Sequence, residues 1–348
     1  MTGVLQIVDS LNAGGLERVA VNIANHLPTD RYRSHLCATR AGGPLAEIIA
    51  PHVQQLYLNR TGRFDFQAVR RLKNYVREHN IQILHAHGTS VFLASRVPAK
   101  LIWHDHFGRY ATEKRPAWLY RLATRRVAGV IAVNEQLAEW SRRRLKIPAE
   151  RVWYVPNFVS EPPAQVPAVE LPGKAGARIV CVANLRPEKD HLNLLAAIRN
   201  VPDAHLILVG RADNPEYLQR VQAAMPNGSV TWLGPRSDVA SILRACDVGV
   251  LSSASEGLPL ALIEYGMNGL PVVATRVGQC AEVLDEGRAG VLVPPGSSGA
   301  LAQALNELLR APTRRAELGQ TLRERVRRLY SAGEVMQKIC AIYSKVTA

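Results

Sequence analysis

Short apolar runs recur along the chain, separated by longer stretches in which apolar residues return every third or fourth position. Runs of four to eight residues rich in Val, Ile and Leu read as buried strands, and the longer periodic stretches read as amphipathic helices. In the first half "GVLQIVDS" predicts a strand and "GLERVAVNIANHL" a helix. "SHLCAT" is then a strand and "FQAVRRLKNYVREH" a helix, followed by "IQILHAHG", "KLIWHDH", "GVIAVN" and "RVWYVPN" as strands. "VFLASRV" starts a helix after the third of these strands, and "EQLAEWSRRRLK" is a helix before the last.

Residues 159–177, "VSEPPAQVPAVELPGKAGA", break the rhythm; proline, glycine and few large apolar residues make this a linker. The alternation restarts with "RIVCVAN", "AHLILVG", "VTWLG", "VGVLSS", "PVVAT" and "GVLVP" as strands, with helices between them and three more at the end of the chain. Strand–helix alternation on this scale predicts α/β architecture: two doubly wound, Rossmann-like parallel sheets. The expected division is 1–158, the linker 159–177, 178–330, and a final helix in 331–348 packing back toward the first domain. Ligands of such sheets bind beyond the C-terminal strand ends, so the expected site is a central cleft faced by the two domains.

Length agrees with two domains, since 348 residues exceed one ordinary core. The opening "MTGVLQIVDSLNAGG" lacks the basic and long apolar regions of a secretion signal, and no apolar run approaches a membrane span. The five cysteines form no CxxC pair and lie mostly in apolar runs, which predicts reduced, buried thiols and a cytoplasmic protein.

Charge changes the picture for the first half. The net charge is +14, and residues 1–165 carry 23 basic against 12 acidic side chains. Residues 109–151 hold 11 basic and 4 acidic side chains, interleaved with Tyr110, Trp118, Tyr120 and Trp140. This pattern suits an anionic membrane surface or a phosphorylated substrate; a solvated arginine-rich face is the alternative, and nucleic acid is not the expected partner.

Four motifs carry candidate chemistry. "NAGGLERV" places Gly14 and Gly15 between the first strand and helix, where backbone amides and a helix start can meet phosphate. It is not GxGxxG, and no acid ends the second strand, which disfavours a dinucleotide site. "HAHG" and "HDHFGR" put His85, His87, His104 and His106 at the ends of two strands, with Arg109 just beyond. They read as histidines that bond a polar substrate, as a zinc site, or as satisfied structural groups. "VANLRPEKDHLNLL" sets Arg186 and Lys189 on a strand-to-helix loop, two cations suited to a pyrophosphate. "SASEGLPLALIEYG" brackets a Gly–Pro helix start with Glu256 and Glu264. Amides near Gly257, Leu258 and Pro259 would face an anion, and each acid could accept hydroxyl hydrogen bonds from the same ligand.

Together these motifs resemble glycosyltransferase family 4, the retaining GT-B glycosyltransferases also called glycosyl transferases group 1. The likeness spans the chain and is weakest over 30–80 and 110–130. Glu256 and Glu264 match the family's EX7E pattern, and Gly14 and Gly15 its GG loop. Lys189 matches the lysine of "GRL-x-x-x-K", but Asn184 stands where the family has arginine, and Arg186 is the substitute at hand. The family's first-domain histidine falls on His104, with His106 as its competitor; "V-x-x-LG … D-V" falls on 230–239, and "P-V-V-A-T" on 271–275.

The resemblance implies a metal-independent hexosyltransferase without a resident cofactor. Its co-substrate would be a nucleotide-diphosphate sugar, UDP-linked before GDP-linked, and its acceptor a glycan or lipid-linked molecule of bacterial cell-surface polysaccharide or glycolipid synthesis. Glu264 would hold the ribose and Glu256 the sugar. Leu233, Gly234 and Arg236 would lie near the base, Arg186, Lys189 and the two glycine loops would stabilise the departing diphosphate, and Asn184 would be among the donor-binding residues. His104 and Glu256 with the two cations would form the catalytic set, and His85, His87, His106 and Arg109 would face the acceptor. The protein would be cytoplasmic, with peripheral contact to the inner membrane face. A nucleotide-sugar 2-epimerase, a non-catalytic sugar-nucleotide binder and an NAD enzyme are the competing classes.

Overall fold

Every strand named above forms, and each pairs in parallel with its neighbours. The computed structural model describes residues 1–12, 14–62, 65–107 and 115–348. Within them the chain divides into two units, one of residues 1–160 together with 332–348, the other of 161–331.

The first unit runs β1 (Thr2–Ser10), α1 (Gly15–His26), β2 (Tyr32–Ala41), β3 (Gln54–Tyr57), α2 (Phe66–Glu78), β4 (Ile81–His87), α3 (Val91–Ala94), β5 (Lys100–Asp105), α4 (Ala117–Ala123), β6 (Gly129–Ala132), α5 (Glu135–Leu145) and β7 (Val152–Tyr154). Its sheet has the order β3-β2-β1-β4-β5-β6-β7, so strand order reverses between β1 and β4. Two elements depart from the sequence expectation. β3 lies at the sheet edge with three of its four residues exposed, so no apolar run marks it. α4 has only seven residues and leaves Trp118 and Leu122 exposed, which breaks the helical pattern.

The second unit runs β8 (Arg178–Val182), α6 (His191–Ile198), β9 (His205–Val209), α7 (Pro215–Ala224), β10 (Val230–Trp232), α8 (Val239–Arg244), β11 (Val248–Leu251), α9 (Leu260–Met267), β12 (Val272–Thr275), α10 (Cys280–Val283), β13 (Val291–Val293), α11 (Ser298–Arg310) and α12 (Pro312–Tyr330). Its sheet order, β10-β9-β8-β11-β12-β13, reverses between β8 and β11. Residues 163–173 have no helix or strand but are tied to this unit: Arg244 donates to the carbonyls of Pro163 and Ala164, and Arg178 to those of Leu171 and Gly173.

The last helix, α13 (Ala332–Thr347), belongs to the first unit. Its buried face carries Val335, Ile339, Cys340 and Tyr343, and the Tyr343 ring packs edge-on against Tyr32 of β2. Each unit has its own core: Leu5, Ile7, Leu84 and Trp103 in the first, Ile179, Leu206, Val250 and Leu305 in the second. Burying such side chains supplies roughly 1.5–3 kcal/mol each relative to leaving them exposed. All five cysteines are buried free thiols. Among the described residues no helix is long and apolar enough to cross a membrane.

Candidate functional site

In the second unit the predicted residues gather where β8 and β11 adjoin. Crevices outside the strand C-termini at such a reversal are the usual ligand positions of doubly wound sheets. The loops leaving these two strands are fastened together. The Ala254 N–H donates to the Glu188 carbonyl (2.9 Å), and the Ser252 hydroxyl to the Lys189 carbonyl (3.0 Å). Beneath them the buried Tyr265 hydroxyl of α9 accepts the Val182 N–H (2.7 Å) and donates to the Val250 carbonyl (3.3 Å). Tyr265 thus bridges the ends of the two strands that carry the loops.

Lys189 and Glu256, expected as separate contacts to phosphate and sugar, form an ion pair. Lys189 Nζ donates to both carboxylate oxygens of Glu256, at 2.6 and 2.8 Å. The Ser253 hydroxyl donates to the same carboxylate at 2.6 Å. The Glu256 side chain is 7% exposed and that of Lys189 25%. A carboxylate this buried needs its cation, and removing one partner of such a pair is far more disruptive than removing an exposed charge. An ammonium has three donors, so two on Glu256 leave a third for an incoming oxygen.

The turn around Gly257 is held by a third loop. The Gln279 N–H donates to the Gly257 carbonyl (3.0 Å), and Gly278, at φ +50°, runs so close that a Cβ there would lie 2.2 Å from the Glu256 carbonyl oxygen. Leu258 is buried, and Pro259 is the residue before α9 rather than its first helical residue. Pro259 makes no side-chain cap. Glu264 lies in the second turn of α9, half-buried.

Arg186 points to a partner that sequence reasoning missed. Its Nη2 and Nε donate to Asp213 Oδ2 at 2.7 and 3.1 Å, and Arg211 pairs with the same carboxylate. Burial pushes the Asp213 carboxyl up, but its bonds to Arg211 and Arg186 outweigh this and hold it below the usual range. The Asn184 side chain accepts the Arg211 N–H at 3.0 Å, so the asparagine at the family's arginine position orders the neighbouring loop. Gly234, at φ +69°, accepts the Gly210 N–H at 2.9 Å, and the Leu233 N–H donates to the Leu208 carbonyl. Arg236 forms a fork on Asp238 at 2.6 and 2.7 Å, with both side chains more than a third exposed or close to it.

In the first unit Gly14 precedes α1 in an extended conformation (φ −135°), its carbonyl accepting the Arg18 N–H at 3.0 Å, and Gly15 begins the helix. Ala13 and Arg109 lie outside the described residues. The four histidines are brought together on one face of the sheet, where β4 sets His87 opposite His104 of β5.

They form a continuous chain of hydrogen bonds. His104 Nδ1 meets His85 Nε2 (3.1 Å), and His85 Nδ1 meets the Tyr343 hydroxyl (2.6 Å). That hydroxyl accepts from Gln6 Nε2 (3.0 Å); Gln6 Oε1 meets His87 Nε2 (2.9 Å), and His87 Nδ1 meets His106 Nε2 (3.0 Å). The Gln6 amide sets the direction of the whole chain. Its carbonyl accepts, so His87 carries its proton on Nε2 and takes one from His106 Nε2. Its amide donates, so Tyr343 donates to His85, and His85 in turn to His104 Nδ1. His104 is left with a buried Nε2–H that has no hydrogen-bond partner among the described residues, and His106 with a buried Nδ1 lone pair, its ring within hydrogen-bonding reach of the Asn157 side chain. Burial pushes all four imidazoles down, His85 and His106 to about 3, so all are neutral near pH 7.

Nitrogens of His85, His87 and His104 lie within 4.8 Å of one another, near enough to share one metal ion. Their rings stack instead of converging, at 14° between His85 and His104 and 20° between His85 and His87. Every ring nitrogen of the three except His104 Nε2 is already hydrogen-bonded. The geometry favours the hydrogen-bonded reading over a ligand set. Gln6 and Tyr343 were missed by sequence reasoning; a glutamine inside the run "GVLQIVDS", fully buried in the structure, was the available signal.

Most described basic residues of 109–151 are exposed, but two of them, Arg115 and Arg142, are not. Arg115 is buried, forks onto Asp105 with two 2.9 Å bonds, and stacks on Trp140 at 3.9 Å and Phe107 at 4.4 Å. Arg142 and Arg143 pair with Glu135 and Glu139 of their own helix. Of the described aromatics in this stretch only Trp118 is exposed.

Comparison with known proteins agrees with this layout. The family described as Glycosyltransferase Family 4 matches residues 13–161, and that described as Glycosyl transferases group 1 matches residues 176–311. The phosphatidyl-myo-inositol mannosyltransferase of Mycolicibacterium smegmatis is 27% identical over 301 residues, 82% of this chain and 76% of that protein. The N-acetyl-alpha-D-glucosaminyl L-malate synthase of Bacillus anthracis is 30% identical over 174 residues, 48% of this chain, a match that spans less than half (45%) of that relative. The structure of Anabaena HepE in complex with UDP-glucose superposes with a TM-score of 0.82 at 20% identity, covering 99% of this chain and 100% of that one, a likeness of fold. With one family description on each unit, two parallel sheets of seven and six strands, and the Glu256–Glu264 spacing at the second switch point, the chain belongs to glycosyltransferase family 4, of the GT-B fold.

Proposed function

We propose that the protein is a retaining glycosyltransferase that moves a hexose from a nucleotide-diphosphate sugar, a UDP-sugar before a GDP-sugar, to a glycan or lipid-linked acceptor in bacterial cell-surface polysaccharide or glycolipid synthesis. The observation that carries this reading is the Lys189–Glu256 pair at the β8/β11 switch point, with Glu264 eight residues on in the second turn of α9. The names of the mycobacterial mannosyltransferase and of the UDP-glucose complex support the lipid acceptor and the donor.

In this reading Glu264 accepts hydrogen bonds from the ribose hydroxyls and Glu256 from the sugar hydroxyls. Lys189 gives its third N–H to the diphosphate, and the Gly257–Pro259 turn meets the same group. Arg186, shared with Asp213, sits beside it, and Arg236 lies toward the base. As the bond from the anomeric carbon to the phosphate oxygen breaks, negative charge grows on the diphosphate and positive charge on the sugar. Lys189 is placed to stabilise the first without a metal ion. The departing phosphate oxygen takes the proton of the acceptor hydroxyl, whose oxygen bonds to the anomeric carbon on the face the diphosphate leaves. His104, neutral and carrying its proton on Nε2, donates a hydrogen bond to the sugar. Gly14 and Gly15 lend backbone donors, and His85, His87 and His106 support His104. The protein acts at the cytoplasmic membrane face.

The test is product analysis with UDP- and GDP-hexoses and lipid-linked acceptors. Released nucleoside diphosphate together with a glycoside of retained anomeric configuration is expected; free epimerised sugar, or an inverted product, overturns the reading. Glu264→Ala should weaken donor affinity roughly tenfold or more, the loss of hydrogen bonds to a carboxylate. Lys189→Ala should lower kcat by about 10²–10³, the scale for removing one donor to developing negative charge. Equal donor affinity in Glu264→Ala and wild type would contradict the assigned roles.

A further inference from the structure

The first unit contains a second built feature, on the opposite face of its sheet from the histidines. A cavity of about 650 Å3 opens at the end of β1, where that sheet reverses strand order, the position at which doubly wound folds take ligands. Its polar floor is Asp9, and three arginines reach it: Arg40 from the end of β2, Arg60 from the loop after β3, and Arg96 after α3.

The charge is not balanced. The Asp9 carboxylate is already shared, accepting from the hydroxyls of Thr39 and Thr89 at 2.8 Å each and from Arg60 Nη2 at 3.2 Å. Arg40 and Arg96 make no ion pair with any described residue. Arg60, only 10% exposed, leaves its Nε buried without a hydrogen-bond partner among the described residues. Burial lowers the Arg60 pKa, Asp9 and Asp65 offset this, and Arg40 and Arg96 push it down again, so three guanidinium groups and two carboxylates feel one another. Among the described residues, two carboxylates against three such cations, with an orphaned donor among them, leave the site short of an anion.

The rest of the cavity is apolar. Phe92 and Leu93 of α3 line it, with Leu119 and Leu122 of α4. Leu122 is 66% exposed, and Trp118, one turn earlier on the same helical face, is 67% exposed. An apolar strip therefore leads from the arginines to the surface, and Arg121, Arg125 and Arg126 beside it are exposed as well.

We infer that this cavity binds the acceptor as a phosphate-bearing amphiphile, its phosphate on Arg40, Arg60 and Arg96 and its hydrocarbon chain along Leu119, Leu122 and Trp118. The word acceptor rests on the proposed transferase reading; the binding itself does not. Arginine forks suit phosphate oxygens, and a hydrocarbon chain on the strip would cover apolar surface that a free sugar would leave wet.

Isothermal titration calorimetry of the full chain, without nucleotide, tests it with three probes: octyl phosphate below its micelle concentration, inorganic phosphate, and octyl glucoside. Octyl phosphate should bind most tightly. Arg40→Gln with Arg96→Gln, both at exposed positions, should weaken it roughly tenfold or more, while the charge-matched pair Arg310→Gln with Arg314→Gln, exposed in the second unit, should not. Leu122→Ser should weaken octyl phosphate and leave inorganic phosphate unchanged. Inorganic phosphate binding as tightly as octyl phosphate, octyl glucoside binding as tightly, or no effect of the paired arginine change would each overturn the inference. Transfer to a water-soluble acceptor by the wild-type protein separates the two readings: transfer with no octyl phosphate binding sinks the cavity alone, whereas absent transfer with octyl phosphate bound sinks the transferase.

Discussion

Tyr343 is the residue on which the histidine chain turns, since its hydroxyl accepts from Gln6 and donates to His85. Tyr343→Phe would leave a buried imidazole nitrogen and a buried amide hydrogen without partners, a loss of about 1–3 kcal/mol. It would also break the relay that fixes the proton of His104 on Nε2. The expected outcome is a lower urea midpoint together with a change in the His104 ring nitrogen shifts by NMR. An unchanged His104 tautomer would show that Gln6 and Tyr343 do not set it. At this scale the sequence named the reactive side chains but not their partners. Lys189 and Glu256 were legible, as was the loop that carries each. Their pairing was not, because 67 residues separate them and only the β8–β11 adjacency closes that distance. Asp213 was hidden for the same reason, 27 residues from Arg186.

At the scale of elements, parallel strands were legible wherever both faces are buried, because continuous apolar runs such as "RIVCV" and "HLILV" mark them. β3 and α4 were not, since an exposed edge strand and a seven-residue helix with outward apolar residues carry no such signature. The loops of the second unit act as one assembly. Gly278 packs its backbone on Glu256, the Gln279 N–H reaches Gly257, and the 252–255 segment holds 188–189. Gly278→Ala would combine a left-handed backbone penalty of about 1–2 kcal/mol with a contact that no Cβ can make. It should displace the Glu256 turn and lower donor affinity, while first-unit stability stays as in wild type. Unaltered donor binding by calorimetry would show that the third loop does not support the turn.

For the whole molecule, the buried histidines predict a pH response. His85 and His106 are pushed down to about 3 and His35 to about 4, each chiefly by burial, whereas the unfolded chain titrates near 6.5. Above 6.5 both states are neutral at these sites and they contribute no slope. As pH falls below 6.5, the unfolded state takes up protons the folded one refuses, so stability declines toward pH 4 by about 1.4 kcal/mol per pH unit for each such group. Four of the five tryptophans lie in the first unit, so their fluorescence reports its unfolding. The urea midpoint of that transition should be clearly lower at pH 5 than at pH 7.5, and less so in His35→Gln. A midpoint that rises or holds at pH 5 would contradict neutral burial.

The return of α13 to the first unit bears on how the protein is made. Residues 161–331 separate its first 160 residues from the helix that completes them. A ribosome adding roughly 5–20 residues per second needs about 10–35 s to cross that interval. Throughout it, the part of the sheet that receives Tyr343 lacks its last helix, with Gln6 and His85 short of the hydroxyl they share. The earliest part of the chain to emerge is thus among the last to mature, and the nascent first unit must wait, incomplete, for residues not yet translated.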